Sequence, residues 1–564
     1  MRRLIPYTFM LILLAVMGAF FVYPIWNTVQ EAFRKPGGGW TLEYVGQIFG
    51  NPIYREGLIN ALKMAAGSTV GALILALPLA VLSARYTFPG KGILSSLLLV
   101  PLILPPFVGT IGIKEVMGQH GALNSLFFPG LIASGHPPDW LGTGRLVGVI
   151  MMNALHLYPI LYLNIAASLA NLDPALDEAA ENLGCPPWRR FWKITLPLAM
   201  PGIFAGASIV FIWGFTELGV PLMFDYSRVT SVQIFDGIKD LGGNPLPYAL
   251  VAVMLVASVL IFILSKFLFG RSDFAGSGRA GMSAQTPVLG GGKGWLVTLG
   301  FGLVILLAVI PHLGVTLASF ATDWNDTALP SGFTLQHYRD ALSHGLTVPS
   351  IINSLKYAGL ATLVDVALGV TIAWITVRTR LPGRHLLDSL AMLPIAVPGL
   401  VLAFGYLAMT RDGQPFHFLI GANGDPYWII VIAYAMRRLP YVVRSASAGL
   451  QQTSVSLEEA ARNLGASPFR TLRKITLPLI GANLLAGALL AFAFGMLEVS
   501  DSLILAQKGE HFPITKAIYN LNSALGNGEA LASALGVWAM VFLTITLIGT
   551  GMLLGKKMGA LFRA

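Results

Sequence analysis

The chain has a single cysteine, Cys185, among its 564 residues, which excludes a disulfide framework and a thiolate cluster for a metal. We read Cys185 as a small packing residue in a loop. Charge is scarce too: Asp, Glu, Lys and Arg make up 11% of the chain, far below the balance of soluble domains. The nine histidines show no H-E-x-x-H or other ligand spacing, so no metal site is expected. A G-x-x-x-x-G-K-[ST] phosphate loop is also missing, because GGGKG at 290–294 and GKK at 555–557 lack its spacing and its hydroxyl. Any ATP used with this protein must be hydrolysed by another chain. The net charge of +10 is spread over loops with no basic patch interleaved with aromatics, which argues against nucleic acid as a partner. An enzyme would need a converging nucleophile and base or a metal cluster, and neither is found.

Hydrophobic residues, by contrast, reach 55%, which places the chain in a membrane. Apolar runs at 4–32, 58–83, 92–113, 146–169, 198–224 and 247–270 are long enough for a bilayer that needs about 20 helical residues. Six more lie at 295–320, 352–377, 386–410, 427–449, 480–505 and 533–555. The first begins MRR, but its apolar part is too long for a secretory signal and lacks a small-residue cleavage site, so a retained span is expected. With the N-terminus cytoplasmic, the inner loops carry 21 Lys or Arg, about twice the number outside. Both termini are therefore expected inside, with membrane lipid around the spans.

The chain repeats itself. EAAENLGCPPWRRFWKITLPL at 178–198 and EAARNLGASPFRTLRKITLPL at 459–479 share 14 of 21 residues at an offset of 281. NALKMA at 60–65 and RYTFPGK at 85–91 parallel NSLKYA at 353–358 and RTRLPGR at 378–384, at an offset of 293. Pro101 and Pro105 match Pro394 and Pro398 in that register. The change of 12 places a net deletion in the outer loop around 411–426, where length changes are tolerated. Six spans separate equivalent points, so the two halves point the same way in the membrane, and a substrate pathway between them is the natural arrangement. The domains expected are 1–270 and 295–564, joined by a Gly- and Ser-rich linker at 271–294.

The repeated loops, 173–197 and 454–478, read as helix, glycine turn, helix. Asp173 and Ser454 suit N-caps, Pro174 a first helical position, and Gly184 and Gly465 a left-handed C-terminal turn. A second helix is predicted from Pro187 or Pro468 to just before Pro197 or Pro478, since proline disfavours helix in the residue preceding it. Leu176, Ala180 and Leu183 recur at helical spacing, giving an amphipathic element fit for a membrane surface or a partner's groove.

EAA, then a glycine, then ITLP resembles the cytoplasmic loop of permease subunits in binding-protein-dependent ABC importers. The matching residues are Glu178, Ala179, Ala180 and Gly184, then Glu459, Ala460, Ala461 and Gly465, completed by Ile194, Leu196 and Pro197 and by Ile475, Leu477 and Pro478. The resemblance implies an all-α type I permease of 12 transmembrane helices in two parallel six-helix repeats. It also implies a bacterial inner-membrane location. The loops would then be coupling helices seated in two copies of an ATPase subunit, which uses the ATP and magnesium, while an extracytoplasmic binding protein delivers substrate. This chain would need no cofactor. Fusion of two permease domains in one chain is similar to the ferric-iron permease group, with thiamine and aminophosphonate permeases as relatives, so ferric iron or a related small solute is the implied substrate.

Ionisable residues inside spans are functional candidates. His156 and Arg437 occupy equivalent positions in the fourth and tenth spans, with Arg438 beside the latter, and Glu217 matches Glu498, one turn before Asp501. Two readings compete: these groups line the pathway, or Arg437 or Arg438 pairs with Glu498 inside the bundle. Asn60 with Lys63 and Asn353 with Lys356 recur at outer helix ends, where they anchor the helices at the interface or meet the binding protein. Prolines 101, 105, 106, 394 and 398 provide kinks, for movement or for packing. A major-facilitator-type secondary transporter is the main alternative, since it too has twelve spans in two parallel halves.

Overall fold

A computed structural model of the chain describes residues 4–35, 38–142, 144–170, 179–240, 244–269, 287–395, 397–420 and 424–554. Glu178, Asp173, Pro174, Leu176 and most of the linker lie outside the described residues. Within them the regular structure is helical, and every apolar run of the sequence coincides with a helix. In chain order these are α1 (Pro6–Ala32), α2 (Pro52–Arg85), α3 (Lys91–Ile103 and Pro106–Phe127), α4 (Leu146–Ala170), α5 (Pro187–Thr216) and α6 (Leu246–Phe269). The second half supplies α7 (Gly291–Phe320), α8 (Thr347–Arg378), α9 (Arg384–Ile395 and Gly399–Met409), α10 (Tyr427–Gln452), α11 (Pro468–Met496) and α12 (Gly528–Leu554).

Eight of these are long and apolar enough to cross a membrane, ten if each of the bent pairs α3 and α9 is one span. The twelve-span expectation exceeds that number by α6 and α10. Helix α10 carries Arg437, Arg438 and Arg444, which lower its apolar character. The bends, 98° in α3 and 103° in α9, fall at the matched prolines. Pro105 and Pro398 both leave the helical region, with ψ of 119° and 132°. A proline there has no N–H to give and its ring crowds the carbonyl four residues back, so the chain breaks and restarts.

The two halves share a core. Helices α2, α4 and α5 pack together, and α8, α10 and α11 repeat the arrangement. The first helix of each half then crosses to the other: α1 packs on the second arm of α9, and α7 on the second arm of α3. These crossings are backbone to backbone. A Cβ built on Gly112 would lie 1.9 Å from Pro311 O, and one on Gly405 would lie 2.6 Å from Pro24 O. Gly112 and Gly405 are 293 residues apart, so the same glycine serves each half, and small residues are what let membrane helices approach this closely.

The length difference lies in the outer loops. The first half extends α3 with the short helix Ala122–Phe127 and adds Pro129–Ala133 after it, whereas among the described residues the second goes from Met409 to Tyr427 with one short turn, His417–Leu419. Asn60 donates to Arg228 O at 2.9 Å, and Asn353 to Glu510 O at 2.8 Å and Phe512 O at 3.2 Å. The asparagines thus pin the loop that follows the fifth span of each half, a use the sequence reading did not consider. Lys63 and Lys356 beside them are exposed.

Candidate coupling loops and the intramembrane charge cluster

In the second half the coupling segment is complete. Ser454 accepts from Ser456 N at 3.3 Å and opens the helix Val455–Asn463, and Gly465 ends it with φ of +84°. Ala466 N then reaches back to Ala461 O at 3.0 Å, a bond that satisfies one of the orphan carbonyls of the helix end. The first half shows the same closure, with Gly184 at φ +72° and Cys185 N on Ala180 O at 3.0 Å. Only glycine takes this backbone region without strain.

One local expectation needs correction. The second helix does not stop before Pro197 or Pro478 but continues into α5 and α11 through π turns at Phe191–Thr195 and Leu472–Thr476. Leu196 N bonds Phe191 O, five residues back, and the wider turn accommodates the following proline ring without breaking the helix. Leu183 is 87% exposed, and its counterpart Leu464 is 90% exposed. Ala180 is buried and Ala461 half-buried, while Ala179, Glu459 and Ala460 face outward. Each loop therefore presents small residues and ends in a bare leucine at the glycine turn, with Trp188 or Phe469 exposed just beyond.

What holds the loop was not anticipated. Arg378, the last residue of α8, binds Glu458 at 3.2 Å and the carbonyls of Leu450 and Thr453 at 2.9 Å each. Glu458 is buried and also receives Thr476 Oγ1 at 3.3 Å. One guanidinium thus ties the end of α8 to the end of α10 and to the coupling helix. Arg85, the equivalent of Arg378, bonds Thr195, the equivalent of Thr476. The first loop adds its own brace, Arg190 on Glu181 at 2.6 Å. The repeat RYTFPGK and RTRLPGR held the signal, since its leading arginine is shared.

Within the bundle, Arg437 meets Glu498 at 2.6 Å and Asp501 at 3.7 Å, and Arg438 closes on the other oxygen of Glu498 and on Phe494 O at 3.0 Å. The pairing alternative is the geometry present. Arg437 also lies over the bend of α9, where a Cβ on Gly399 would collide with its guanidinium. Two buried carboxylates accompany the cluster: Asp501, and Asp365 on α8, whose oxygens find no hydrogen-bond partner among the described residues. Asp365 went unremarked in the sequence, although a lone aspartate in an apolar run is the same kind of signal as Glu498.

The first half places its candidates differently. His156 Nδ1 lies 2.7 Å from Pro101 O, the carbonyl that Pro105 orphans at the bend of α3. A carbonyl can only accept, so Nδ1 carries the proton. Glu217 accepts from Gly219 N at 3.0 Å and Val220 N at 3.2 Å, capping the short helix after α5. Glu498 receives Asp501 N at 3.4 Å in the same manner, and both glutamate carbonyls take a hydroxyl, from Ser231 at 2.6 Å and Thr515 at 2.7 Å. The two glutamate segments meet across the halves, where a Cβ on Gly219 would lie 3.0 Å from Val499.

The family described as "Binding-protein-dependent transport system inner membrane component" matches residues 37–274 and 365–556. The chain belongs to that family. It is a multi-pass inner-membrane transport subunit of a binding-protein-dependent system. FbpB 1 of Haemophilus influenzae is 30% identical over 475 residues, which cover 82% of this chain and 71% of that protein. The ferric transport system permease protein FbpB of Actinobacillus pleuropneumoniae is 29% identical over 486 residues, 84% of this chain and 66% of that one. The molybdenum transport system permease protein ModB of Escherichia coli K12 is 32% identical over 210 residues, only 35% of this chain but 90% of its own length. A relative of roughly half the size thus aligns with one part of this duplicated permease.

Proposed function

We propose that this permease imports ferric iron or a related small solute, driven by two ATPase subunits docked one on each EAA loop. The observation that carries the reading is the duplicated loop, with the same glycine turn and the same bare leucine in both halves. An apolar tip beside small residues suits insertion into a cleft of a partner, and the leucine stands 87% and 90% exposed at the same place in both loops. Both loops and both termini then face the cytoplasm, in line with the distribution of Lys and Arg. The similarity to FbpB supports ferric iron as cargo.

The ATPase subunits, closing on ATP, draw the loops together. Arg378 and Arg85 pass that displacement to the ends of α8 and α2, and the continuous helices through the π turns pass it to α11 and α5. The halves then rock about the contact between Gly219 and Val499, which opens and closes a pathway near Arg437 and Glu498. In this scheme Glu178, Ala179, Ala180, Gly184, Glu459, Ala460, Ala461 and Gly465 form the docking and bending elements, and His156, Glu217, Arg437, Arg438 and Glu498 shape the pathway.

Co-purification with the proposed ATPase subunit tests the scheme, and two copies per permease are expected. A double Gly184→Pro and Gly465→Pro variant should insert in the membrane yet lose ATP-driven uptake of iron in proteoliposomes supplied with the binding protein. Uptake in vesicles lacking any ATPase would instead identify a secondary transporter.

A further inference from the structure

At the coupling-loop end of the second half, a cavity of about 600 Å³ opens between α8, the first arm of α9 and α10. Arg384, His385, Asp388, Arg444, Ser447 and Gln451 form its polar lining, and Val377, Met392 and Val443 contribute an apolar wall. Two guanidiniums against one carboxylate leave it cationic. Arg444 is exposed and makes no hydrogen bond or ion pair among the described residues. It sits eight residues before Gln452, roughly 12 Å along the helix from that end.

Packing does not demand these residues, and the duplicated half demonstrates it. At the same offsets, Arg444, Ser447 and Gln451 correspond to Leu163, Ala166 and Ala170, and Asp388 to Ser95. The first half keeps a cation, Lys91, where Arg384 stands, but lines the α4 side of the same junction with small and apolar side chains, so the polar set on α10 answers to something other than the fold. We propose that this cavity binds the phosphate headgroup of an anionic phospholipid. The arginines take the phosphate, Ser447 and Gln451 offer polar contacts to the glycerol, and the apolar wall receives the start of an acyl chain. Basic pockets between membrane helices near the inner leaflet are suited to such headgroups. The site's walls are the ends of α8 and α10 that Arg378 ties to the coupling helix, so a bound lipid braces the base of that loop. The site depends neither on the cargo nor on ATPase docking.

The test uses the purified full chain in neutral detergent, titrated separately with phosphatidylglycerol, phosphatidylcholine and inorganic phosphate. Retained ligand is read by native mass spectrometry and thermal stability by unfolding. Preferential retention of phosphatidylglycerol is expected, weakened about fivefold by Arg444→Gln and tightened by Asp388→Asn, with phosphatidylcholine unaffected by either change. Asp388→Asn is a conservative change at an exposed position, so it keeps the test open if Arg444→Gln folds poorly. Phosphatidylglycerol affinity that stays within about twofold in both variants overturns the proposal. So does stabilisation by inorganic phosphate alone with no lipid preference, which would make the cavity a free-anion site.

Discussion

The two halves of this permease have the same three-helix core, the same proline-bent third segment and the same glycine-turned loop, yet they solve one local problem with different chemistry. At the position where α4 carries His156, α10 carries Arg437, and the neighbouring Leu157 becomes Arg438. In the first half an imidazole satisfies one orphaned carbonyl. In the second, two guanidiniums close on Glu498 beside two more carboxylates. Glu217 and Glu498 do the same capping work, so the ion cluster is an addition to a frame that folds without it. The lesson is that duplication separates what the fold requires from what it merely allows.

The sharpest test of that separation is Glu498→Ala against Glu217→Ala. Removing Glu498 takes the shared carboxylate away from two arginines in the bundle and should cost roughly 3 to 5 kcal/mol. Removing Glu217 loses a helix cap, worth about 1 kcal/mol. Thermal unfolding of the two purified variants measures the gap, and equal losses would erase the distinction between the halves. Next in size come Gly112→Val and Gly405→Val, where the halves are alike. Both insert side chains into a backbone crossing and should each destabilise by about 1 to 3 kcal/mol or more. A large loss from only one would show that the exchanged first helices are not equivalent.

His156→Leu leaves Pro101 O without its donor at about the same volume, and a loss of about 1 to 3 kcal/mol is expected in the same assay. The smallest effect on folding belongs to Leu183→Ala and Leu464→Ala, each within about 0.5 kcal/mol because both side chains are exposed. Their effect should appear instead in retention of the ATPase on the permease, lowered to a similar degree by either change. A variant that alters stability but not ATPase retention would mean that its leucine packs against the permease itself.

Much of the architecture was readable because it is written in local pattern. Apolar runs of membrane length mark helices wherever they occur, and each run met one. Gly184 and Gly465 announce left-handed turns because the requirement is confined to a single residue's backbone. The misreadings share a cause. The local rule for the residue before proline, acting alone, makes Pro197 a stop, whereas a π turn shifts the bonding register and lets the helix pass. Asp365 and the Arg378 anchor were missed because their meaning depends on residues about 70 to 80 positions away.

By itself the sequence determined that this chain is a duplicated, helical membrane protein with two matching loop motifs, because hydropathy, repetition and turn chemistry act within a few neighbouring residues. Tertiary structure alone decided that α1 and α7 trade places between the halves, that Arg437 and Arg438 share Glu498, and that the leucines at the loop tips stay uncovered. Those outcomes join residues brought together only by packing. Several chain-compatible partners existed for each, and the glycine-sized gaps at Gly112, Gly405 and Gly399 selected among them.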